Sequence, residues 1–145
     1  MDNRPFVLCV DLDGVVADYE RAFQLIVSRE VGLAPEEMGP QLSWDFMTGN
    51  WGIKNREHYL ELHTKAVVEE RMFANMPAIE GASDALWRLS DAGVWVRIVT
   101  HRLVVKNTHH VAVEDTVTWL DQPRPDGRPL VPYRDLCFIG AKAQV

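Results

Sequence analysis

Positive charge, cysteine and long apolar runs are all scarce in this chain, and each shortage excludes something. Lys and Arg number 15 against 21 Asp and Glu, a formal charge of −6. An acidic chain is poorly drawn to nucleic-acid polymers or anionic membranes, although cations converging locally can still hold a small anion. No apolar run approaches the roughly 20 residues of a membrane-spanning helix. Only two cysteines occur in 145 residues, Cys9 and Cys137, both inside apolar strand-like runs. They read as buried thiols in a reducing compartment, the cytoplasm, rather than as a disulfide framework. Repeats and low-complexity tracts are absent, and Met1-Asp2-Asn3-Arg4-Pro5 runs straight into a strand-like segment, unlike a signal peptide.

What is present is an apolar fraction of 47%, enough for one compact core with a small inserted lobe. Phe6 to Val10 is continuously apolar and reads as a strand buried on both faces, ending abruptly at Asp11-Leu12-Asp13-Gly14. A helix is predicted from about Asp18, its N-cap, with Tyr19, Phe23, Ile26 and Val27 on one stripe and Gly32 as its stop. Residues 33 to 54 are irregular and rich in Gly, Pro and aromatics. A second helix, capped by Asn55, carries Tyr59, Leu62, Ala66 and Phe73 on one face, and Pro77 closes the region. Ala82, Ala85, Leu86 and Leu89 mark a helix stopped by Gly93; Val94 to Val99 is a second buried-type strand. Val113, Val117 and Leu120 suggest another helix, residues 122 to 134 a Pro- and Arg-rich loop, and Leu136 to Ile139 a third strand. Strands alternating with helices imply an α/β fold with a parallel sheet and right-handed crossovers. The strand-free stretch from 18 to 76 reads as a helical insertion over the sheet's edge.

Each strand ends in polar residues: Asp11 and Asp13, then Thr100-His101-Arg102, then Lys142. Ligands of open α/β sheets bind outside the carboxyl ends of the strands, so these clusters are expected to meet in space. Two carboxylates, a hydroxyl and a cation suit a magnesium-assisted phosphoryl site, because hard oxygens hold Mg²⁺ and cations offset phosphate charge.

The run Asp11-Leu12-Asp13-Gly14-Val15-Val16-Ala17-Asp18 resembles motif I of the haloacid dehalogenase-like superfamily, Thr100 after Ile98-Val99 resembles motif II, and Lys142 in Gly140-Ala141-Lys142-Ala143 resembles motif III. Trp44-Asp45-Phe46 and Thr100-His101-Arg102 give a narrower resemblance to the 5′(3′)-deoxyribonucleotidase type. The resemblance implies a three-layer, Rossmann-like parallel-sheet fold, residues 1–17 and 77–145, with a small helical C1 cap, residues 18–76, inserted after the first strand. It implies that Asp11 is the nucleophile and that Asp13 protonates the leaving oxygen and then deprotonates water. It further implies that the Asp11 carboxylate and the Asp13 backbone carbonyl ligate Mg²⁺, that Thr100 binds a phosphate oxygen, and that Lys142 neutralises charge. Gly14 would let the backbone turn so that nearby N–H groups face the phosphate.

Several residues keep two readings. His101 and Arg102 are either substrate or phosphate contacts or solvated loop residues. Trp44, Phe46 and Trp51 either form the core of the cap or stack on a base, with core favoured for two of the three. Asp18 is read as a helix cap rather than a catalyst. His109 and His110 are adjacent, diverge on a helix and are not read as a metal pair. The family's fourth motif, a strand ending in acidic residues that complete the metal shell, does not follow Lys142. Either the chain is a fragment, or another chain supplies the strand, or the protein is not an active enzyme as written; the fragment reading is favoured, with an exposed apolar edge at Phe6 to Val10 and a chain expected to be poorly soluble and weakly active alone. The function these residues and the resemblance together imply is that of a Mg²⁺-dependent phosphomonoesterase with an aspartyl-phosphate intermediate, acting on (deoxy)nucleoside 5′-monophosphates. The alternatives are a phosphatase of another small metabolite, such as a sugar phosphate, and a catalytically silent phosphate-binding module. No nucleic-acid polymer and no membrane is expected as partner; the sequence gives no oligomeric state.

Overall fold

A computed structural model of the chain describes residues 5–43, 46, 49–102, 105 and 107–139. Three parallel strands form one sheet in the order β1 (Val7–Val10), β2 (Trp95–Thr100), β3 (Asp135–Phe138). Val10 pairs with Ile98 and Thr100 with Phe138, which brings the carboxyl ends of the strands to one side of the sheet. The parallel sheet and the three strand locations agree with the sequence reading to within a residue or two.

The burial of those strands does not agree. Val96, Ile98 and Thr100 are inaccessible to solvent, whereas Trp95 is 39% and Val7 42% exposed. Alternate residues of β2 thus face opposite environments, as strand geometry requires when one face is covered. Helix α5 (Ala82–Asp91) packs against β2. Val7, Cys9, Trp95, Arg97 and Cys137 lie on the uncovered face among the described residues. Cys9 and Cys137 are consequently free and exposed, not buried as expected from their apolar neighbours. Arg97 and Asp135 occupy paired positions there and form a fork, Nε–Oδ1 2.7 Å and Nη2–Oδ2 2.9 Å.

The helices follow their caps. In α1 (Tyr19–Val31) the Asp18 carboxylate accepts from the Arg21 N–H, and Gly32, left-handed at φ 73°, ends the helix by donating to the Ser28 carbonyl. Phe23, Ile26 and Val27 are buried along one stripe. After a short α2 (Pro35–Met38), α3 (Arg56–Thr64) starts with the Asn55 side chain accepting from the His58 N–H at 2.8 Å. The single helix expected as far as Phe73 is interrupted by a π turn over Lys65–Glu69 and by Arg71 at φ 52°, before α4 (Met72–Asn75). The Arg71 guanidinium is held in a fork by Asp115, Nε–Oδ2 2.7 Å, which fixes that left-handed turn against a helix later in the chain.

That helix, α6 (His109–Leu120), buries a different stripe from the expected one. Ala112, Asp115, Thr116 and Trp119 point inward, while Val113 and Val117 are half-buried. Asp115 and Thr116 are accepted inside because Arg71 and Arg102 satisfy them, so hydrogen bonding overrides the apolar pattern. The helical stretch between β1 and α5 leaves and rejoins the strand-bearing part at one point: Ala17 bridges Ala78, Asp18 N–H donates to Pro77 O and Ile79 N–H to Val16 O, both at 2.8 Å. Among the described residues, no helix is long and apolar enough to cross a membrane.

Candidate active site

The loop after β1 builds the site. Leu12 is fully buried and its carbonyl accepts from the N–H groups of Val15, Val16 and Ala17, while the Gly14 N–H donates to Ala17 O. This tight loop needs Gly14 at φ 78°, a conformation costly for any residue with a Cβ. It also commits the amides of Gly14 to Ala17 within the loop. The N–H groups of residues 14 to 17 thus close the loop, so an amide that faces a phosphate has to come from a neighbouring residue.

Asp11 is exposed at the strand end. Among the described residues its carboxylate accepts one hydrogen bond, from the Leu12 N–H at 2.8 Å. Asp13 is partly exposed and both its oxygens are held by Arg102, at 2.7 Å from Nη2 and 3.1 Å from Nε. Asp11 and Asp13 open into a cavity of about 750 Å³, the size range of small-molecule sites. Aromatic side chains line it as well: Tyr19, Phe46, Tyr59, His63 and Phe73. His101 reaches the rim, with Nδ1 3.0 Å from the Ile139 carbonyl oxygen. Arg102 does not line the cavity; its side chain is fully buried against Asp13, Thr116 and the Phe73 ring.

Thr100 is also buried, at 0% exposure, and its hydroxyl is without a hydrogen-bond partner among the described residues. Trp51 belongs to the core, 1% exposed, with its indole N–H donating to Gly39 O. Phe46 is 3% exposed, 4.6 Å from the Trp51 ring, yet its edge reaches the cavity. Trp44 and Lys142 lie outside the described residues.

The aromatic wall carries groups the sequence reading passed over. His63 was not singled out, although it stands four residues after Tyr59 on the same helical face, a spacing that could have flagged it. It is buried, and its Nδ1 lies 2.9 Å from the Tyr19 hydroxyl. Burial lowers its pKa to about 4, against a smaller opposing pull from Asp13. Desolvation, with a lesser contribution from neighbouring Tyr59, pushes the Tyr19 hydroxyl well above its ordinary range. Both partners are thus neutral near pH 7 and share a single proton across their hydrogen bond.

The depressed His63 value has a signed consequence for stability. Between about pH 6.5 and 4, the unfolded chain binds a proton at His63 that the folded protein refuses. Its contribution is present above pH 6.5 and is lost as pH falls toward 4. His63→Gln keeps a hydrogen-bonding group and removes the titration. The stability advantage of the parent over this variant, from urea unfolding, should shrink by about 2.5 kcal/mol between pH 7.5 and 4.5. A difference that stays constant would show that His63 titrates in the folded protein as it does in the unfolded chain.

Asp11, Asp13, Asp18 and Glu20 are among the lining residues, and among the described residues no Lys or Arg lines the cavity.

Comparison with known proteins gives the family. Residues 4–145 match the family described as "5′ nucleotidase, deoxy (Pyrimidine), cytosolic type C protein". A "Putative 5′(3′)-deoxyribonucleotidase" of Chlorobaculum tepidum is 40% identical over 145 residues, 100% of this chain and 68% of that protein. A solved hydrolase from Streptococcus pneumoniae TIGR4 shares the fold, with a TM-score of 0.50 at 17% identity over 92% of this chain and 66% of that one. The chain spans about two thirds of the length of these relatives. Motif, parallel sheet and family match converge: the chain belongs to the deoxyribonucleotidase family of haloacid dehalogenase-like phosphatases.

Proposed function

We propose that the protein hydrolyses deoxynucleoside monophosphates, through an aspartyl-phosphate formed on Asp11 and with a divalent cation, Mg²⁺. The observation that carries this reading is one cavity lined both by Asp11 and Asp13, from the carboxyl end of a parallel sheet, and by aromatic side chains. The 5′(3′)-deoxyribonucleotidase description of the 40% identical relative favours a nucleotide over a sugar phosphate. Residues 18–76 act as the cap that supplies the aromatic wall, and Phe46 is the residue offered to the base.

The donors at the strand end are oxygens, the kind a hard cation takes: Asp11 has lone pairs free of the described residues, although among those residues no three His, Cys, Asp or Glu side chains come together as a metal cluster. The Asp11 carboxylate and the Asp13 backbone carbonyl would hold the ion, which when bound offsets the charge on the phosphoryl oxygens. Asp11 Oδ attacks phosphorus, and the bond from phosphorus to the ester oxygen breaks. Asp13 gives its proton to the departing oxygen, then takes one from the water that cleaves the Asp11–phosphorus linkage. The buried Thr100 hydroxyl has no acceptor among the described residues and does not line the cavity, so its donation to a phosphoryl oxygen rests on the resemblance to motif II. His101 contacts substrate from the rim, and Lys142 adds positive charge at the phosphate. The family's cytosolic description and two free, exposed thiols suit the reducing cytoplasm.

Phosphate release from a panel of deoxynucleotides, ribonucleotides and sugar phosphates, with Mg²⁺ and with excess EDTA, tests the reading. Deoxynucleotides should give the highest kcat/KM, and EDTA should abolish turnover. Preference for a sugar phosphate, or turnover indifferent to EDTA, would overturn it.

A further inference from the structure

Arg102 holds a place that neither its position after Thr100 nor the proposed reaction accounts for. It follows the strand end of β2, where a cation is expected to meet phosphate, yet its side chain has no exposure at all. All three of its nitrogens donate inside the protein. Nη2 donates to Asp13 Oδ1 at 2.7 Å and Nε to Asp13 Oδ2 at 3.1 Å, a two-point fork across residues 89 apart in sequence. Nη1 donates to Thr116 Oγ1 at 3.1 Å, and that hydroxyl donates in turn to the Ala112 carbonyl within α6. The guanidinium carbon lies 4.3 Å from the centre of the Phe73 ring, and Nη2 is 3.9 Å from Met76 Sδ. A ring below and a helix hydroxyl behind leave the guanidinium plane one orientation. The planar fork transmits that orientation to the carboxylate, which a lysine, as a point charge, cannot do.

We propose that Arg102 is a positioning residue: it fixes the plane of the Asp13 carboxyl group and is itself aimed by Thr116. The proposal rests on the reading of Asp13 as the group that protonates the leaving oxygen. Each Asp13 oxygen accepts from Arg102 on one side and keeps lone-pair capacity toward the cavity. The fork therefore orients the acid without consuming it. The same arrangement explains why α6 buries a threonine where its apolar pattern would place a valine. Thr116 is the far anchor of the clamp, outside the cavity and without contact to substrate.

Two readouts test this on the full chain. The first needs no activity. A guanidinium Nε–H that is buried and bonded to a carboxylate exchanges slowly, so Arg102 should give a protected, shifted side-chain resonance in ¹⁵N-correlated NMR at neutral pH. Arg102→Lys identifies that resonance by deleting it, and Asp13→Asn should move it. A resonance that is absent near neutral pH, or that ignores Asp13→Asn, overturns the clamp. The second readout is kcat/KM on an alkyl phosphate and on nitrophenyl phosphate, which reports steps up to formation of the Asp11 intermediate. Acid assistance matters most for a basic leaving oxygen, and misplacing a catalytic group costs up to about a hundredfold. Arg102→Lys and Thr116→Val should each lower kcat/KM on the alkyl ester by roughly tenfold or more relative to nitrophenyl phosphate. Equal losses on both esters would make Arg102 a phosphate contact or a structural residue and overturn the proposal. Should the parent protein hydrolyse neither ester, the proposed function falls, while the spectrum still decides whether Arg102 holds Asp13.

Discussion

Asp11→Asn is expected to lower phosphate release by at least about a thousandfold while leaving the fold intact. The size follows from the nature of the step: an amide oxygen has no anionic lone pair with which to attack phosphorus, and removing a nucleophile costs several orders of magnitude. The intact fold follows from the local geometry. The carboxylate is exposed and accepts one hydrogen bond among the described residues, from the Leu12 N–H, which an asparagine oxygen accepts equally well. The loop is closed by the Leu12 and Ala17 carbonyls rather than by the Asp11 side chain. The check is a pair of measurements on the same preparation, turnover on the preferred deoxynucleotide and the thermal midpoint, with mass spectrometry to exclude deamidation back to aspartate. Turnover within tenfold of the parent would remove Asp11 from the reaction; a midpoint lowered by many degrees would make the loss structural.

Phe23→Ala should cost about 3–5 kcal/mol of stability, the usual range for deleting a fully buried phenylalanine. Phe23 has no exposed surface and is the hub of the aromatic group between α1 and the irregular segment. Its ring centre lies 5.1 Å from Phe46 and 5.9 Å from Tyr59, both near edge-on, and 5.5 Å from Tyr19. Edge contacts of this kind add about 0.5–1.5 kcal/mol beyond area burial. Against a total stability of about 5–15 kcal/mol, the loss is severe. It should appear as a lowered urea midpoint with an unchanged slope. Because Tyr19, Phe46 and Tyr59 also wall the cavity, KM for a nucleotide should rise more than KM for a small phosphate ester. A midpoint equal to that of the parent would mean that the neighbouring rings collapse to refill the space. Phe23→Leu, which keeps most of the volume, should cost less than about 1.5 kcal/mol.

The sequence by itself determined the strand locations, the helix starts and the candidate chemistry. Apolar runs of four to six residues ending in acidic or hydroxyl side chains are short-range signals, and so are the Asp18 and Asn55 caps and the Gly32 stop, each made within four residues. The Asp11-to-Gly14 loop was legible for the same reason: its hydrogen bonds close over residues 12 to 17. Tertiary structure decided what depends on partners far along the chain. Cys9 and Cys137 sit in apolar runs yet are exposed, because burial of a strand face depends on which helices cover it. The helix expected through Phe73 breaks at Arg71, and α6 turns Asp115 inward in place of Val113, because the two meet across 44 residues. Tyr19 and Tyr59 looked like ordinary core positions and became walls of a cavity only when α1 and α3 were brought together. Arg102 looked like a cation waiting for phosphate. Eighty-nine residues separate it from Asp13, and no local pattern encodes that a buried guanidinium will find its carboxylate there rather than in a ligand. Local propensity and capping are written in neighbouring residues, whereas satisfaction of buried charge is settled only when the whole chain has closed around it.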